Sequence, residues 1–241
     1  MLSIEGKTID EMFNMAADKW PEADFLVAPR TESAPIRTLT YGTVADLVDR
    51  YANALTKAGY GAGHRAAVLL GTRPEHYVIK LALNRLGMSC VPINPDYRAA
   101  ELAYVLQDSD AVLAIADVAL ADLMKAGLRE AKSDAEFVCF ETFFDDLPRA
   151  KRAPIDAQVT SESEASLLYT SGTTGRSKGV MLTHDMVLRA AFSSVIAGAF
   201  EENRRMLFAM PMYHVFGYAE CLLAVLFVGG AIIPHLVFDA A

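Results

Sequence analysis

The chain has 241 residues, of which 53% are hydrophobic and 22% are charged, and this composition excludes a disordered or fibrous polypeptide. Its 22 lysines and arginines are outnumbered by 30 aspartates and glutamates, giving a net charge of −8 that disfavours nucleic acid as a partner. The longest apolar run, residues 221–234, is shorter than the roughly 20 residues that a membrane-spanning helix needs, so no membrane span is expected.

From Thr40 onwards, the sequence alternates between helical and strand-like patterns. Thr40 is typical of an N-cap, and apolar residues at helical spacing follow it up to Gly59. Short apolar runs such as AAVLL at 66–70 and AVLAIA at 111–116 are typical of strands buried on both faces. This alternation predicts an α/β fold with a mainly parallel sheet and helices on both faces. The predicted helices are 40–59, 75–86, 99–107 and 119–125, and the predicted strands are 66–70, 90–93, 111–116 and 137–140, the last at an edge.

A change of composition divides the chain into two parts. Residues 145–164, DDLPRAKRAPIDAQVTSESE, combine two prolines and mixed charges with few large apolar side chains, which is typical of a linker or surface loop. We therefore predict an N-terminal α/β subdomain over residues 1–150 and a second segment over residues 151–241. The second segment is predicted to contain strands at 165–170, 180–183, 206–210 and 231–234, and helices at 185–199 and 218–228.

The most informative stretch is the loop SGTTGRSKG at residues 171–179. Its three glycines allow tight turns that bring backbone N–H groups against a polyanion, and its hydroxyl groups supply further donors. Arg176 and Lys178 add positive charge that favours phosphate. The Walker A pattern is excluded, because Ser177 stands directly before Lys178 where that pattern has glycine. On composition alone, a solvated turn explains this loop as well as a phosphate site does.

The longer stretch YTSGTTGRSKGVMLTH, residues 169–184, resembles the phosphate-loop signature of the adenylate-forming superfamily. That superfamily comprises acyl-CoA synthetases, firefly luciferases and peptide-synthetase adenylation domains. Ser177 replaces the proline of the usual pattern. Residues 61–115, with VPINP and the ELAYVLQDS run, and the histidine-bearing loop PMYHVFGY at 211–218 are also similar to the superfamily. The likeness runs from about Leu39 to the end of the sequence, and the chain most resembles the acyl-CoA synthetases.

The resemblance implies an enzyme that couples a carboxylic acid, fatty or aryl, to ATP as an acyl-adenylate and releases pyrophosphate. Acyl-CoA synthetases then transfer the acyl group to coenzyme A. Magnesium is expected with the nucleotide, but no metal ligand is assigned in this sequence. Donors and cations aimed at the β- and γ-phosphates stabilise the charge that builds up in the transition state. By this resemblance, the phosphate contacts are Thr170, Ser171, Gly172, Thr173, Thr174, Gly175 and Lys178.

His214 is the second candidate functional residue. The resemblance implies that it lies beside the carboxylate substrate and the α-phosphate, so that His214 and Lys178 are the predicted catalytic residues. An irregular loop between Pro211 and Gly217 favours this role over a histidine that only satisfies its own hydrogen bonds. An aromatic cluster here is also typical of ordinary core packing. The residues predicted to bind the acyl substrate with His214 are Tyr213, Val215, Phe216 and Gly217. His184 is predicted to be structural.

Members of the superfamily continue well beyond the last residue of this sequence, so the chain is expected to be the N-terminal part of a ligase and inactive by itself. Three alternatives stay open: a non-catalytic nucleotide-binding or scaffold module, an adenylation enzyme that passes the acyl group to a carrier protein, and an enzyme with a luciferase-like oxidation. A place in fatty acid metabolism is expected. The lack of a visible secretory signal and the scattered cysteines, Cys90, Cys139 and Cys221, favour the cytoplasm. Association into a homodimer is also open.

Overall fold

The computed structural model of the protein describes residues 4–28, 35–145, 147–149, 159–170 and 177–234. Within these ranges the chain forms two β-sheets with helices packed against them. The strands are β1 (Asp24–Ala28), β2 (Arg37–Thr40), β3 (Arg65–Leu69), β4 (Ser89–Pro92), β5 (Leu113–Ala116), β6 (Glu136–Cys139), β7 (Glu164–Thr170), β8 (Lys178–Thr183), β9 (Arg205–Phe208) and β10 (Ala231–Pro234). The helices are α1 (Ile9–Lys19), α2 (Tyr41–Lys57), α3 (Glu75–Arg85), α4 (Ala99–Asp108), α5 (Ala121–Ala131), α6 (Phe140–Phe144), α7 (His184–Ala197), a π-helix (Phe216–Leu223) and α8 (Ala224–Leu226).

The larger sheet has six strands in the order β6-β5-β3-β4-β7-β8, and only the β7–β8 pair is antiparallel. Its central strands are covered on both faces. Along β3, Ala67 and Leu69 pack with α4 and α5, while the alternating Ala66 and Val68 join the core formed with α2 and α3. Successive side chains of a strand point to opposite faces, so an uninterrupted apolar run indicates burial on both sides. This arrangement confirms the predicted α/β class with mainly parallel strands flanked by helices.

The second sheet has four strands in the order β2-β1-β10-β9. Strand β10 lies parallel to both β1 and β9, and β1 pairs antiparallel with β2. Helix α1 and strands β1 and β2 are not among the predicted elements, although α1 has a recognisable start signal in the sequence. The Thr8 hydroxyl accepts from the N–H of Glu11, and the Glu11 carboxylate accepts from the N–H of Thr8, which together form a capping box.

Both sheets take strands from each side of the predicted division at residue 150. Strand β7 lies beside β4 in the larger sheet, and β10 lies beside β1 in the smaller sheet. The division into residues 1–150 and 151–241 stays a prediction, and these two pairings join the segments through backbone hydrogen bonds.

Several predicted element boundaries agree with the structure to within two residues. Thr40 caps α2 as expected, since its hydroxyl accepts from the N–H of Thr43 at 3.2 Å. The prediction of one continuous helix at 218–228 is wrong about the helix type, because residues 216–223 form a π-helix and the short α8 follows it. Periodicity of apolar residues does not separate these helix types at such short length.

Helix α3 is buried along its whole length. Its last residue, Arg85, is fully buried and donates from Nε to Asp10 Oδ1 at 2.7 Å and from Nη2 to Asn14 Oδ1 at 2.8 Å. Arg85 also pairs with Asp49 on α2. This cluster of Arg85, Asp10, Asn14 and Asp49, which we call the arginine cluster, fixes α1, α2 and α3 against one another.

Three further features bear on the predictions. His184 is buried, and its Nδ1 accepts from the N–H of Ile9 at 3.2 Å, so the histidine joins α7 to α1 as a structural residue. All three cysteines are free. Among the described residues, no helix is both long and apolar enough to cross a bilayer.

Candidate active site

The candidate site begins where two parallel neighbours, β4 and β7, end. Cys90 pairs with Ser166 across these strands, and their carboxyl ends therefore lie at the same edge of the sheet. Open parallel sheets bind ligands outside the carboxyl ends of their strands, because connecting loops there surround a crevice. A cleft of about 310 Å³ occupies this position. Its lining includes Asn94, Tyr97, Thr170, Tyr213, His214 and Val215.

The cleft brings together two segments that the sequence analysis selected separately. Thr170 is the last residue of β7 and the first of the predicted phosphate contacts, whereas His214 belongs to the loop before the π-helix. Both line the same cleft. The predicted contacts Ser171, Gly172, Thr173, Thr174 and Gly175 lie outside the described residues, as does Arg176.

The two ends of the phosphate loop are held side by side. Strands β7 and β8 are antiparallel, and Thr170 pairs directly with Lys178, the first residue of β8. Lys178 is exposed, and it is not one of the described residues that line the cleft. Residues 171–177 therefore connect two adjacent strand ends, and the register places the predicted lysine directly across from the predicted threonine.

Helix α4 anchors both ends of this loop, a contribution that the sequence analysis missed. The Tyr104 hydroxyl donates to the carbonyl oxygen of Ser177 at 2.9 Å. The Tyr169 hydroxyl donates to Asp108 Oδ2 at 2.7 Å, and the two tyrosine rings meet edge to face at 6.3 Å. Burial and the neighbouring Asp108 carboxylate raise the pKa of Tyr169, so its hydroxyl stays a donor at neutral pH. Tyr104 and Asp108 both lie in the ELAYVLQDS run, which is the only sequence signal for this role.

Backbone contacts orient the imidazole of His214. The backbone N–H of His214 donates to the carbonyl oxygen of Pro211 at 3.0 Å, which closes a turn. The N–H of Phe216 donates to His214 Nδ1 at 3.2 Å. An imidazole nitrogen that accepts a hydrogen bond carries no proton, so the neutral ring holds its proton on Nε2. The exposed His214 therefore offers an N–H donor at the cleft, where an anionic oxygen could accept it.

Tyr213 lies in the cleft beside His214 and is half-buried. Burial raises the pKa of its phenol, and the nearby Asp96 carboxylate and Tyr97 add to this shift. The phenol thus stays protonated at neutral pH and adds a second polar hydrogen to this part of the cleft.

Val215, also predicted to bind the acyl substrate, lines the same cleft, whereas Phe216 and Gly217 lie elsewhere. Phe216 lines a separate, mainly apolar cavity of about 580 Å³ between α7, β9 and the π-helix. Gly217 is buried, and a Cβ atom there would come within 2.5 Å of the Phe208 ring and 2.8 Å of the Tyr77 hydroxyl. Close packing therefore requires glycine at this position. The structure separates Tyr213 and His214 from Phe216, which the sequence pattern had grouped in one pocket.

The described residues contain no group of three or more His, Cys, Asp or Glu side chains arranged to hold a metal ion.

Comparison with known proteins identifies relatives over almost the whole chain. Residues 13–239 match the profile of the family described as AMP-binding enzyme. The chain is 31% identical to 4-coumarate–CoA ligase-like 9 of Oryza sativa subsp. japonica, covering 98% of the chain and 43% of that protein. It is 29% identical to a feruloyl-CoA synthase of Amycolatopsis sp, covering 95% of the chain and 45% of that protein. The chain thus spans less than half the length of these relatives.

The fold has a solved counterpart. The inhibitor-bound crystal structure of the N-terminal domain of FACL13 from Mycobacterium tuberculosis superposes with a TM-score of 0.85 at 26% identity. The match covers 97% of the chain and 58% of that domain structure. The two-sheet arrangement is therefore shared with an N-terminal domain of this kind.

Proposed function

Since the chain belongs to the AMP-binding enzyme family, we propose that the complete protein is an AMP-forming acid–thiol ligase. In its first reaction, a carboxylate oxygen attacks the α-phosphorus of ATP, and the bond to the β-phosphate oxygen breaks. Acyl-adenylate and pyrophosphate are formed. In the second reaction, the thiol of coenzyme A displaces AMP and gives the acyl thioester. The observation that carries this proposal is the meeting of Thr170 and His214 in one cleft.

Charge is the main obstacle in the first reaction. A carboxylate must approach a polyanionic nucleotide, and the departing pyrophosphate carries still more negative charge. Thr170 and Lys178 lie at the two ends of the phosphate loop, so we assign them to the β- and γ-phosphates, together with Ser171, Gly172, Thr173, Thr174 and Gly175. Donors and cations aimed at these phosphates stabilise developing charge more in the transition state than in the ground state.

His214 has a different task in this scheme. Its Nε2–H is oriented because Nδ1 is already engaged by the N–H of Phe216. We assign this Nε2–H to an oxygen of the reacting carboxylate or the α-phosphate, where it holds the two reactants in line. Magnesium bound to the nucleotide would neutralise part of the phosphate charge, but no described residue is assigned to it.

The proposed substrate is an acid with an apolar body, fatty or aryl. The relative named as feruloyl-CoA synthase supports the aryl alternative. Relatives named as feruloyl-CoA synthase and 4-coumarate–CoA ligase-like protein favour coenzyme A over a carrier protein as the acceptor. A place in fatty acid metabolism, a cytoplasmic location and a homodimer stay predictions.

Exchange of labelled pyrophosphate into ATP tests this function in the complete protein. We expect exchange only when a carboxylic acid is present, and Lys178→Ala should reduce it on the order of 100-fold because a phosphate-binding cation is lost. Lys57→Ala, which removes an exposed lysine at the end of α2, is the matched control. Exchange that proceeds without acid, or that Lys178→Ala leaves unchanged, contradicts the assignment. Nucleotide binding without any exchange would identify a scaffold module instead.

A further inference from the structure

Three polar side chains repeat at intervals of four residues along α3 and are almost completely buried. His76 is 0% exposed, and Lys80 and Asn84 are each 1% exposed. Residues four apart lie on the same face of an α-helix, so the three side chains form one polar stripe inside the core. None of them lines the cleft. Buried polar groups lower stability unless something compensates for them, so this stripe requires an explanation.

Lys80 contacts an aromatic ring instead of a carboxylate. Its Nζ lies 3.7 Å from the centre of the Tyr218 ring, in the position of a cation–π contact. Within the described part of the chain, no Asp or Glu forms an ion pair with Lys80. Methionine would fill a similar volume without a buried amine. The lysine therefore lowers stability relative to an apolar residue, and the contact it makes is with Tyr218.

Tyr218 connects this stripe to both candidate site segments. Its hydroxyl donates to Asn84 Oδ1 at 2.7 Å, and Asn84 Nδ2 donates to the carbonyl oxygen of Ala165 at 2.8 Å. Ala165 belongs to β7, the strand that ends at Thr170. In the other direction, the N–H of Tyr218 donates to the carbonyl oxygen of His214 at 3.4 Å. A continuous set of contacts thus runs from β7 to the histidine loop.

The element that contains Tyr218 needs such support. A π-helix has poorer hydrogen-bond geometry than an α-helix and is usually a single turn inside one, often at a functional site. Here it extends over eight residues and starts two residues after His214. Its first turn contains Gly217, which has no side chain to anchor it, and Phe216, which is 41% exposed. Tyr218, 2% exposed, is the first residue of this helix with a fully buried side chain.

We propose that Lys80, Asn84 and Tyr218 are positioning residues, and that the cation–π contact and hydrogen bonds they make hold His214 in register with Thr170 across the cleft. Lys80 fixes the plane of the Tyr218 ring, and Asn84 fixes its hydroxyl and ties it to β7. The catalytic consequence rests on the proposed ligase function, while the placement of the His214 ring is a property of the chain itself.

Two variants test the role of these residues in the complete protein. Lys80→Met removes the amine and keeps an unbranched side chain, and Tyr218→Phe removes only the hydroxyl. We expect each to lower kcat for acid-dependent pyrophosphate exchange about tenfold or more, because misplacement of a reacting group by about 1 Å can reduce a rate 100-fold. The KM for ATP should change by less than about twofold, since the phosphate loop is untouched. The melting temperature of Lys80→Met should be unchanged or raised.

Matched controls are available far from the cleft. Nζ of Lys125, on α5, lies 5.0 Å from the centre of the Phe137 ring on β6, so Lys125→Met removes a second cation–π contact. The Tyr60 hydroxyl donates to Glu136 at 2.6 Å, so Tyr60→Phe removes a second tyrosine hydrogen bond. Both controls should exchange pyrophosphate at the unaltered rate. An unchanged kcat in both Lys80→Met and Tyr218→Phe overturns the proposal. The proposal is also overturned if kcat falls only in variants whose melting temperature falls as well.

A measurement that needs no activity separates this inference from the proposed function. Side-chain nitrogen resonances of ¹⁵N-labelled histidine report the tautomer, and the His214 pair is assigned by its disappearance in His214→Gln. We expect the unaltered protein to show His214 protonated on Nε2, and both variants to show averaging between the two tautomers. If the unaltered protein lacks exchange activity, the ligase function fails. Averaged His214 resonances in the variants would then still support the positioning role, and unchanged resonances would overturn it.

Discussion

Helix α3 carries two buried basic side chains, five residues apart, of which one contacts carboxylates and the other contacts an aromatic ring. Arg85 is fully buried and bonded by two carboxylates and an amide in the arginine cluster. Lys80 is also buried but rests against the Tyr218 ring. Burial lowers the pKa of Lys80, which means that its charged form is disfavoured in the folded protein. The same helix thus contains one compensated cation and one that lowers stability.

The difference separates a structural cluster from a functional one. The arginine cluster joins α1, α2 and α3, and every group in it has a partner of opposite charge or a hydrogen bond. Lys80 lies under the segment that presents His214. A residue that lowers stability beside a candidate site is typical of the compromise between stability and activity. Three predictions, from the largest expected effect to the smallest, test this comparison.

The largest effect is expected for Arg85→Met. Removal of the guanidinium leaves Asp10 and Asp49 without their buried cation, and breaking a buried pair in this way lowers the free energy of unfolding by about 3–5 kcal/mol. Urea denaturation followed by circular dichroism measures this change. The control is Arg189→Met, since the exposed Arg189 pairs with Asp185 only at the surface of α7. A free energy of unfolding equal to that of the unaltered protein would show that the arginine cluster is not structural.

A second effect, smaller for each pH unit than the loss in Arg85→Met, is expected from acid through the buried histidines. Burial, aided by the charge of Lys80, lowers the pKa of His76 to about 3, and burial lowers that of His184 to about 4. Between about pH 6.5 and pH 5 the unfolded chain therefore binds more protons than the folded chain, and stability rises with pH. The free energy of unfolding should fall by up to about 1.4 kcal/mol per pH unit for each histidine as the pH is lowered.

Denaturation at pH 7, 6 and 5 measures this slope, and the window lies above the range in which paired carboxylates titrate. His76→Leu should reduce the slope by removing one of the two histidines while leaving His184 in place. An identical slope in His76→Leu would mean that His76 is not held neutral, and the polar stripe on α3 would then need a different description.

The smallest change in stability is expected for Lys80→Met. Because the buried amine disfavours folding at pH 7, its replacement should leave the free energy of unfolding unchanged or raise it by less than about 1 kcal/mol. The same denaturation experiment measures it beside Arg85→Met. A loss as large as that of Arg85→Met would show that the two cations are equivalent, and the contrast between them would disappear.

Local signals in the sequence were sufficient for many individual elements. Thr40 has the side chain that an N-cap requires. The runs AAVLL and AVLAIA are typical of buried strands or short buried helices, and their short length favoured strands, which the structure has. Strands β1 and β2 were not assigned because they are short and lie in a sheet completed by β9 and β10, far along the chain. The π-helix was predicted as an ordinary helix because both types place apolar residues at similar spacing.

The candidate site was predictable in part. The phosphate-loop motif and the histidine loop were both recognisable from sequence, and their residues Thr170 and His214 do line one cleft. The contributions of Tyr104 and Asp108 were not assigned, since they act through hydrogen bonds across elements. Tyr213, Phe216 and Gly217 are close in sequence, but Tyr213 precedes the π-helix that contains the other two, and the three reach the cleft, a separate cavity and the core.

The amino-acid sequence by itself determined the α/β class, most helices and strands after Thr40, and the membership of the AMP-binding family, because periodicity, caps and motifs are local. Only the tertiary structure decided which strands pair, that His214 and Thr170 share a cleft, and that Arg85 meets carboxylates while Lys80 meets the ring of Tyr218. These outcomes depend on contacts between residues far apart in the chain, and the spacing of residues along one segment does not specify what packs against it.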